Sequence, residues 1–223
     1  MSTLSYPAQR QQLIDAANRL FTAAVMSHSG HGNLSVRLPE PERLLLTAGG
    51  HIHQLTPEQF VVVTFDGEVV EGAIEAVARE IVGMHAGVYR ERPDVQAVIH
   101  THSPRATSFA VANKPLPVVY EAFLRFGIVE DIPVAEWAPR GSAEAVANIR
   151  EQLRLHPGIP ALLLGNHGLL AFGAAPAAAA QIIIIMEEAA ELLLDAQTLG
   201  GAHPFPPDAL DRERAHMQRF RSA

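Results

Sequence analysis

The chain has 223 residues, of which 48% are hydrophobic and 18% are charged, and its formal net charge is −7. This composition is typical of one globular domain with a sizeable core, and the acidic balance argues against a nucleic-acid-binding surface. The chain contains no cysteine. Disulfides and thiolate chemistry are therefore excluded, and any protein-bound metal must be held by His, Asp or Glu.

We expect a cytoplasmic protein with no membrane partner. The first twenty residues lack the apolar segment of a signal peptide. The most apolar run, residues 177–196, contains Glu187, Glu188 and Glu191. Three carboxylates at these positions are incompatible with a membrane span.

The predicted elements alternate between helices and short strands. Hydrophobic periodicity predicts helices over 8–27, 74–91, 104–112, 142–155 and 176–198, and strands over 34–37, 43–47, 60–71 (a hairpin about Asp66-Gly67), 95–100, 115–120, 133–135 and 161–164. No G-x-G-x-x-G opens a helix after a strand, which argues against a Rossmann unit. The pattern predicts one layered α/β domain over 1–223, with its core at about 8–200 and a charged tail at 208–223.

Two histidines follow a buried strand in the stretch VIHTHSP, residues 98–104. Side chains alternate along a strand, so His100 and His102 point to the same side. A third histidine, His167, ends another apolar run in the stretch LLLGNHG. Three imidazoles at strand ends suit one divalent cation, zinc first, with manganese or cobalt as alternatives. Taken alone, the H-x-H pair is equally compatible with a structural role.

Three stretches together resemble the class II aldolase/adducin family: GHGNLSVR (30–37), MHAGVYRERPDVQAVIHTHSP (84–104) and LLGNHGLLAFG (163–173). The resemblance covers residues 8 to 200, with the motifs in the family's order and spacing. It implies a three-layer α/β/α fold with a central, mainly antiparallel sheet. It also implies a fourfold homotetramer with active sites at subunit interfaces, and a metal bound by His100, His102, His167 and a glutamate on the preceding helix.

The position of the fourth ligand departs from the family pattern. The family's glutamate stands four residues before the histidine that matches His85, where this chain has Ile81. Glu80 lies one residue earlier, at the edge of the predicted helix's apolar stripe, whereas Glu75 points nearly opposite. We therefore predict Glu80 as ligand and proton carrier; the competing interpretation is a solvated carboxylate.

The resemblance also assigns substrate and proton-transfer positions. Phosphosugar members have a serine-rich stretch and a serine-glycine turn where this chain has AIEAVARE (73–80) and TAGG (47–50). Hydroxyl donors are missing, so an unphosphorylated or carboxylate-bearing substrate is at least as well favoured. Hydrogen-bond donors that could contact a substrate remain at Gly32, Asn33, Gly49 and Gly50. The aldolases' proton-donating tyrosine falls on Glu121, with Tyr120 adjacent, so either is a candidate.

Two further histidines near these donors have two interpretations. His31 and His51 lie in Gly-rich loops, where histidines are usually just exposed, although both could line the site.

These assignments imply a metal-dependent lyase of carbohydrate metabolism that reversibly cleaves a small polyhydroxy or 2-oxo compound through a stabilised enediolate. The same chemistry serves a decarboxylase of a hydroxy-aromatic or keto acid, and also an epimerase or dehydratase. A non-catalytic, adducin-like interaction module is the remaining alternative, and the presence of all three histidines disfavours it.

Overall fold

The structure, a computed structural model, describes residues 4–221, with side chains through residue 216. The last two residues of the predicted tail lie outside the described residues. The helices are α1 Pro7–Thr22, α2 Ala76–Arg79, α3 Val82–Glu91, α4 Pro104–Val111, α5 Glu121–Arg125, α6 Ala143–Leu155, α7 Pro176–Ala196 and α8 Ala209–Arg221. The strands are β1 Gly32–Arg37, β2 Arg43–Thr47, β3 Phe60–Thr64, β4 Val69–Glu71, β5 Ala97–Thr101, β6 Val134–Ala135, β7 Ala161–Leu164 and β8 Gly168–Gly173.

All eight strands form one sheet, in the order β4-β3-β2-β1-β5-β8-β7-β6. Every neighbouring pair is antiparallel except β6 and β7, which are parallel. Strands β1, β5 and β8 lie in its interior, where side chains on both faces are buried. This explains their continuous apolar runs. The expected mainly antiparallel sheet is confirmed.

Helices flank the sheet. The long helix α7 packs against α1 and α4 and against β8, β5 and β1. Helix α3 packs against α6, and its His85 and Tyr89 are hydrogen-bonded to side chains of β1. The layered α/β architecture is therefore confirmed. Among the described residues, none of the helices combines the length and hydrophobicity needed to cross a bilayer.

The predicted helix over 74–91 is interrupted. Glu75 is extended and starts α2, which ends after one turn, and α3 begins only at Val82. The N–H of Ile81 donates to the carbonyl of Ala78 at 3.3 Å, which closes a tight turn in place of the α-helical i→i−4 bond. Glu75 and Glu80 therefore cap the two ends of α2, and neither residue belongs to α3.

The strand predicted over 115–120 is also wrong. Only Leu116 makes a bridge, with Ile132. Pro115 and Pro117 flank it and have no N–H to donate, so a ladder cannot extend in either direction. In contrast, the hairpin about Asp66-Gly67 is confirmed, since β3 and β4 pair across it and Gly67 has the positive φ of 92° that the turn requires.

Candidate metal centre and active site

The three histidines singled out in the sequence lie together. One ring nitrogen from each of His100, His102 and His167 falls within 4.8 Å of the other two. Their ring centroids are 4.7, 4.7 and 5.0 Å apart. We refer to these three side chains as the histidine cluster. Metal binding by the cluster stays a prediction, but the convergence that it requires is present.

Antiparallel pairing of β5 with β8 produces this convergence. His100 is opposite Leu170 in the ladder, and His102 follows two residues later on the same side. His167 lies in the tight turn that joins β7 to β8, immediately before β8 begins. Its N–H donates to the Leu164 carbonyl at 3.0 Å, which closes the turn. The end of one strand and the start of its neighbour therefore meet at the cluster.

Gly168 makes this close approach possible, and sequence reasoning did not assign it a role. A Cβ at this position would lie 2.6 Å from the Thr101 carbonyl oxygen and 2.8 Å from Cδ2 of His102. It would also lie 3.2 Å from Cε1 of His100. Only glycine leaves room for two imidazoles beside the backbone. The signal was present in the sequence as the glycine that follows His167.

The cluster has the electronic character of a metal site. Nδ1 of His100 donates to the Leu169 carbonyl at 2.8 Å, so Nε2 of His100 carries the lone pair. That lone pair faces Nε2 of His102 at hydrogen-bond distance, 3.1 Å. Burial lowers the pKa of His100 well below its usual value. Burial, then His167, His31 and Arg140, lowers the pKa of His102 to about 4. Neutral imidazoles with free lone pairs are the form that binds metal, so the donor set fits a divalent ion.

Glu80 lies beside the cluster but outside it. Its side chain is 53% exposed, and Oε2 is 3.2 Å from Nε of Arg140. The charge of Arg140 lowers the pKa values of His102 and His167, which shows that the Glu80–Arg140 pair is near the cluster. Glu80 and His167 also line a common cavity with Trp137. Its role as fourth ligand stays a prediction.

Tyr120 and Glu121 are held elsewhere in the chain. The Tyr120 hydroxyl donates to Oε1 of Glu188 at 3.1 Å, and this bond raises the pKa of the phenol. Glu121 forms an ion pair with Arg125 at 2.5 Å. Neither residue lines the cavity that contains His167. Within one chain the structure does not bring the two predicted proton donors to the cluster.

Asn33 is oriented by a buried hydrogen-bond network. Oδ1 of Asn33 is 2.6 Å from Nε2 of His85, and an amide oxygen only accepts, so Nε2 carries the proton. Nδ1 of His85 then accepts from Ser35 Oγ at 2.7 Å, and Ser35 accepts from the Tyr89 hydroxyl at 2.7 Å. Burial lowers the pKa of His85 to about 3. The neutral ring thus fixes the Asn33 carboxamide and leaves its N–H groups as donors.

The predicted glycine donors fall into two groups. The Gly32 N–H already donates to the Gly50 carbonyl at 3.1 Å, and a Cβ on Gly32 would lie 2.8 Å from the His100 carbonyl oxygen. Gly32 therefore contributes by close packing against β5. Gly49 and Gly50 instead line an open cavity with His31 and His51. This placement is compatible with substrate contact.

Glu187 supports the segment that carries His102, and its role was missed from the sequence. Its carboxylate accepts from the N–H groups of Arg105 and Ala106 at 2.8 and 2.9 Å, at the start of α4. Burial raises the pKa of this carboxyl group. A carboxylate from α7 thus caps the helix that follows His102 directly. A glutamate within an apolar helix was the available signal.

The chain belongs to the class II aldolase/adducin family. The family model described as "Class II Aldolase and Adducin N-terminal domain" matches residues 11–194. This match and the relatives below identify the chain as a class II aldolase-type enzyme, a lyase.

Particular relatives are similar over most of the chain. A 5-methylthioribulose-1-phosphate/5-deoxyribulose-1-phosphate aldolase from Rhodospirillum rubrum is 32% identical over 206 residues, covering 92% of this chain and 89% of the relative. A 3-oxo-tetronate 4-phosphate decarboxylase from Escherichia coli is 27% identical, covering 82% and 85%. Among solved structures, an L-fuculose 1-phosphate aldolase superposes with a TM-score of 0.82 at 27% identity, covering 98% of this chain and all of that chain.

Replacing Gly168 with alanine is expected to weaken metal binding about 100-fold, because the added Cβ displaces two imidazoles. Isothermal titration calorimetry with zinc measures this affinity. Gly158→Ala is the matched control, since nothing lies within 4 Å of its Cβ position. Equal zinc affinities for the two variants would contradict the assignment.

His85 is expected to make stability pH-dependent in the metal-free protein. Its folded pKa of about 3 lies below the unfolded value near 6.5, so the unfolded chain binds the extra proton. The contribution of His85 to the free energy of unfolding is therefore fully present above about pH 6.5 and is lost as the pH falls toward 3. Between pH 7.5 and pH 5, the wild type should lose about 2 kcal/mol more unfolding free energy than His85→Gln. Urea denaturation at both pH values tests this, and parallel losses would refute it.

Proposed function

We propose that this chain is a divalent-metal-dependent lyase that reversibly cleaves a carbon–carbon bond near the carbonyl of a small polyhydroxy or 2-oxo compound. The observation that carries the proposal is the convergence of His100, His102 and His167 within 4.8 Å. The aldolase relatives support aldol cleavage as the bond-breaking step. A non-catalytic role is disfavoured because three neutral imidazoles that converge on one point have no use in an interaction module.

The three histidines would hold the ion, with zinc as first choice and manganese or cobalt as alternatives. Glu80 would complete the donor set when its carboxylate leaves Arg140, its 3.2 Å partner. When bound, a divalent ion supplies Lewis-acid polarisation of a substrate carbonyl. Arg140 would keep a positive charge at the rim of the same cavity.

The remaining residues would orient the substrate and move protons. The Asn33 amide N–H groups, whose direction His85 fixes, would donate to a substrate oxygen, as would backbone N–H groups at Gly49 and Gly50. In cleavage, the hydroxyl group on the fragment that becomes the aldehyde loses its proton as the carbon–carbon bond breaks. The electron pair of that bond stays on the fragment that carries the carbonyl. Glu80 would take that proton, and Tyr120 or Glu121 would return one to carbon.

Decarboxylation of a hydroxy-aromatic or keto acid is the second candidate. It requires the same stabilisation of negative charge beside a carbonyl, with carbon dioxide as the leaving group in place of an aldehyde. The similarity to a 3-oxo-tetronate 4-phosphate decarboxylase over 82% of this chain supports it.

Assembly into a cytoplasmic homotetramer with interfacial active sites belongs to the proposal. Trp137 is 57% exposed and lines the cavity that contains His167 and Glu80. Large exposed apolar side chains beside a site mark a surface for another chain to cover. A neighbouring chain would also supply Tyr120 and Glu121, which do not reach the cluster of their own chain.

Activity is tested with the metal-loaded full chain. Aldehydes are offered with dihydroxyacetone, its phosphate or pyruvate, and carbon dioxide release from hydroxy and keto acids is followed in parallel. His102→Ala should lower kcat/KM for the active substrate at least about 1000-fold, because it removes a donor to the ion.

His203→Ala, which removes an exposed histidine, is the matched control and should retain wild-type activity. Activity that survives His102→Ala would refute the proposed centre. A protein that retains no metal after growth with zinc and manganese would favour the interaction module.

The proposed assembly predicts a solution mass of four chains of 24.1 kDa each. Multi-angle light scattering on the purified protein measures this mass directly. A monomer that is fully active would contradict the need for residues from a neighbouring chain.

A further inference from the structure

A cavity of about 500 Å³ opens next to the start of β1, the strand that pairs with β5. The turn at Gly49 and Gly50 forms one wall. His31 and His51 form another, joined by a β-bridge and with ring centroids 4.6 Å apart. We call this the tail cavity, because its position relative to the cluster suits the end of a substrate distant from the reacting carbonyl.

The backbone connects the tail cavity to the cluster. Gly32, the residue after His31, pairs with Thr101 on β5 and donates to the Gly50 carbonyl. The next residue, Asn33, is opposite His100 in the same ladder. A substrate whose carbonyl lies at the cluster therefore needs to extend only past His31 to enter the cavity.

The wall at Gly49 carries a carboxylate. Glu75 is anchored there by its backbone N–H, which donates to the Ala48 carbonyl at 2.9 Å. Its side chain lies against the bare face of Gly49, since a Cβ on that glycine would be 2.6 Å from Oε1 and 2.9 Å from Oε2. The backbone anchor fixes where the side chain begins, and the missing Cβ of Gly49 leaves room for the carboxylate.

Two carboxylates, Glu58 and Glu75, line the tail cavity. The other titratable residues that line it are His31 and His51, and no arginine or lysine among the described residues does so. A phosphate ester brought there would meet the negative charge of two carboxylates without an arginine or lysine to offset it. Carboxylate oxygens instead accept hydrogen bonds, so hydroxyl groups are the complementary ligand.

We propose that the tail cavity selects an unphosphorylated, hydroxyl-bearing substrate, with Glu75 as the residue that excludes phosphate. This deepens the proposed function and rests on it for the metal at the cluster. It also sets this chain apart from relatives whose names specify phosphorylated compounds. Glu75 acts here on specificity and takes no part in the bond-breaking step.

The test uses binding, so that it does not depend on which reaction the enzyme performs. The zinc-loaded full chain is titrated calorimetrically with two metal-chelating probes, the hydroxamate of glycolic acid and the same hydroxamate with a phosphate on its hydroxyl. The wild type should bind the hydroxyl form at least as tightly as the phosphorylated form. The ratio of the two Kd values is the quantity compared between variants.

Two variants change the carboxylate in different ways. Glu75→Gln removes its charge, and Gly49→Ala keeps the charge but forces the side chain out of the cavity by contact with the new Cβ. Each should shift the Kd ratio at least tenfold toward the phosphorylated probe. Glu68→Gln, at the exposed β3–β4 hairpin, is the matched control and should leave the ratio unchanged.

A wild type that prefers the phosphorylated probe tenfold or more, with a ratio unaffected by Glu75→Gln, would overturn the inference. If both probes fail to bind while the protein retains its zinc, the inference is also overturned; if the zinc itself is not retained, the proposed metal centre fails. If the ratios shift as expected but no lyase activity is found, the cavity assignment stands and the proposed reaction fails.

Discussion

The antiparallel ladder between β5 and β8 is the constraint on which the site depends. It places the end of one buried strand beside the start of another, so that His100 and His102 meet His167 without any long loop. Each strand is buried on both faces, which makes the position of the imidazoles rigid. Rigid strand ends are a better support for a donor set than mobile loops, because donor positions must be accurate to a fraction of an ångström.

Burial determines the chemistry of the cluster as much as geometry does. Removing imidazoles from water disfavours their charged form, so the three rings stay neutral and keep their lone pairs. The same effect keeps His85 neutral. Because the neutral ring has one donor and one acceptor, its hydrogen bond fixes the orientation of the Asn33 carboxamide. The two roles that we propose for these residues, metal binding by the cluster and substrate orientation by Asn33, therefore have one physical cause.

The sequence predicted the sheet and the cluster because both follow from short-range rules. Alternation along β5 places His100 and His102 on one side, and apolar runs define the buried strands. The break at Glu80–Ile81 was not predictable, because helical periodicity continues through it and the interruption is set by tertiary packing. The roles of Gly168 and Glu187 were also missed, since each depends on a neighbour distant in sequence.

Glu75 precedes α2 and Glu80 follows it, and this placement has an evolutionary consequence. Because α2 and the tight turn after it separate Glu75 from α3, the segment that faces Gly49 can change its residues while α3 and the central strands stay as they are. Substrate preference in this scaffold can then diversify at a peripheral position, at little cost to the proposed metal centre. Directed evolution confined to residues 73–77 would be an economical route to new selectivities.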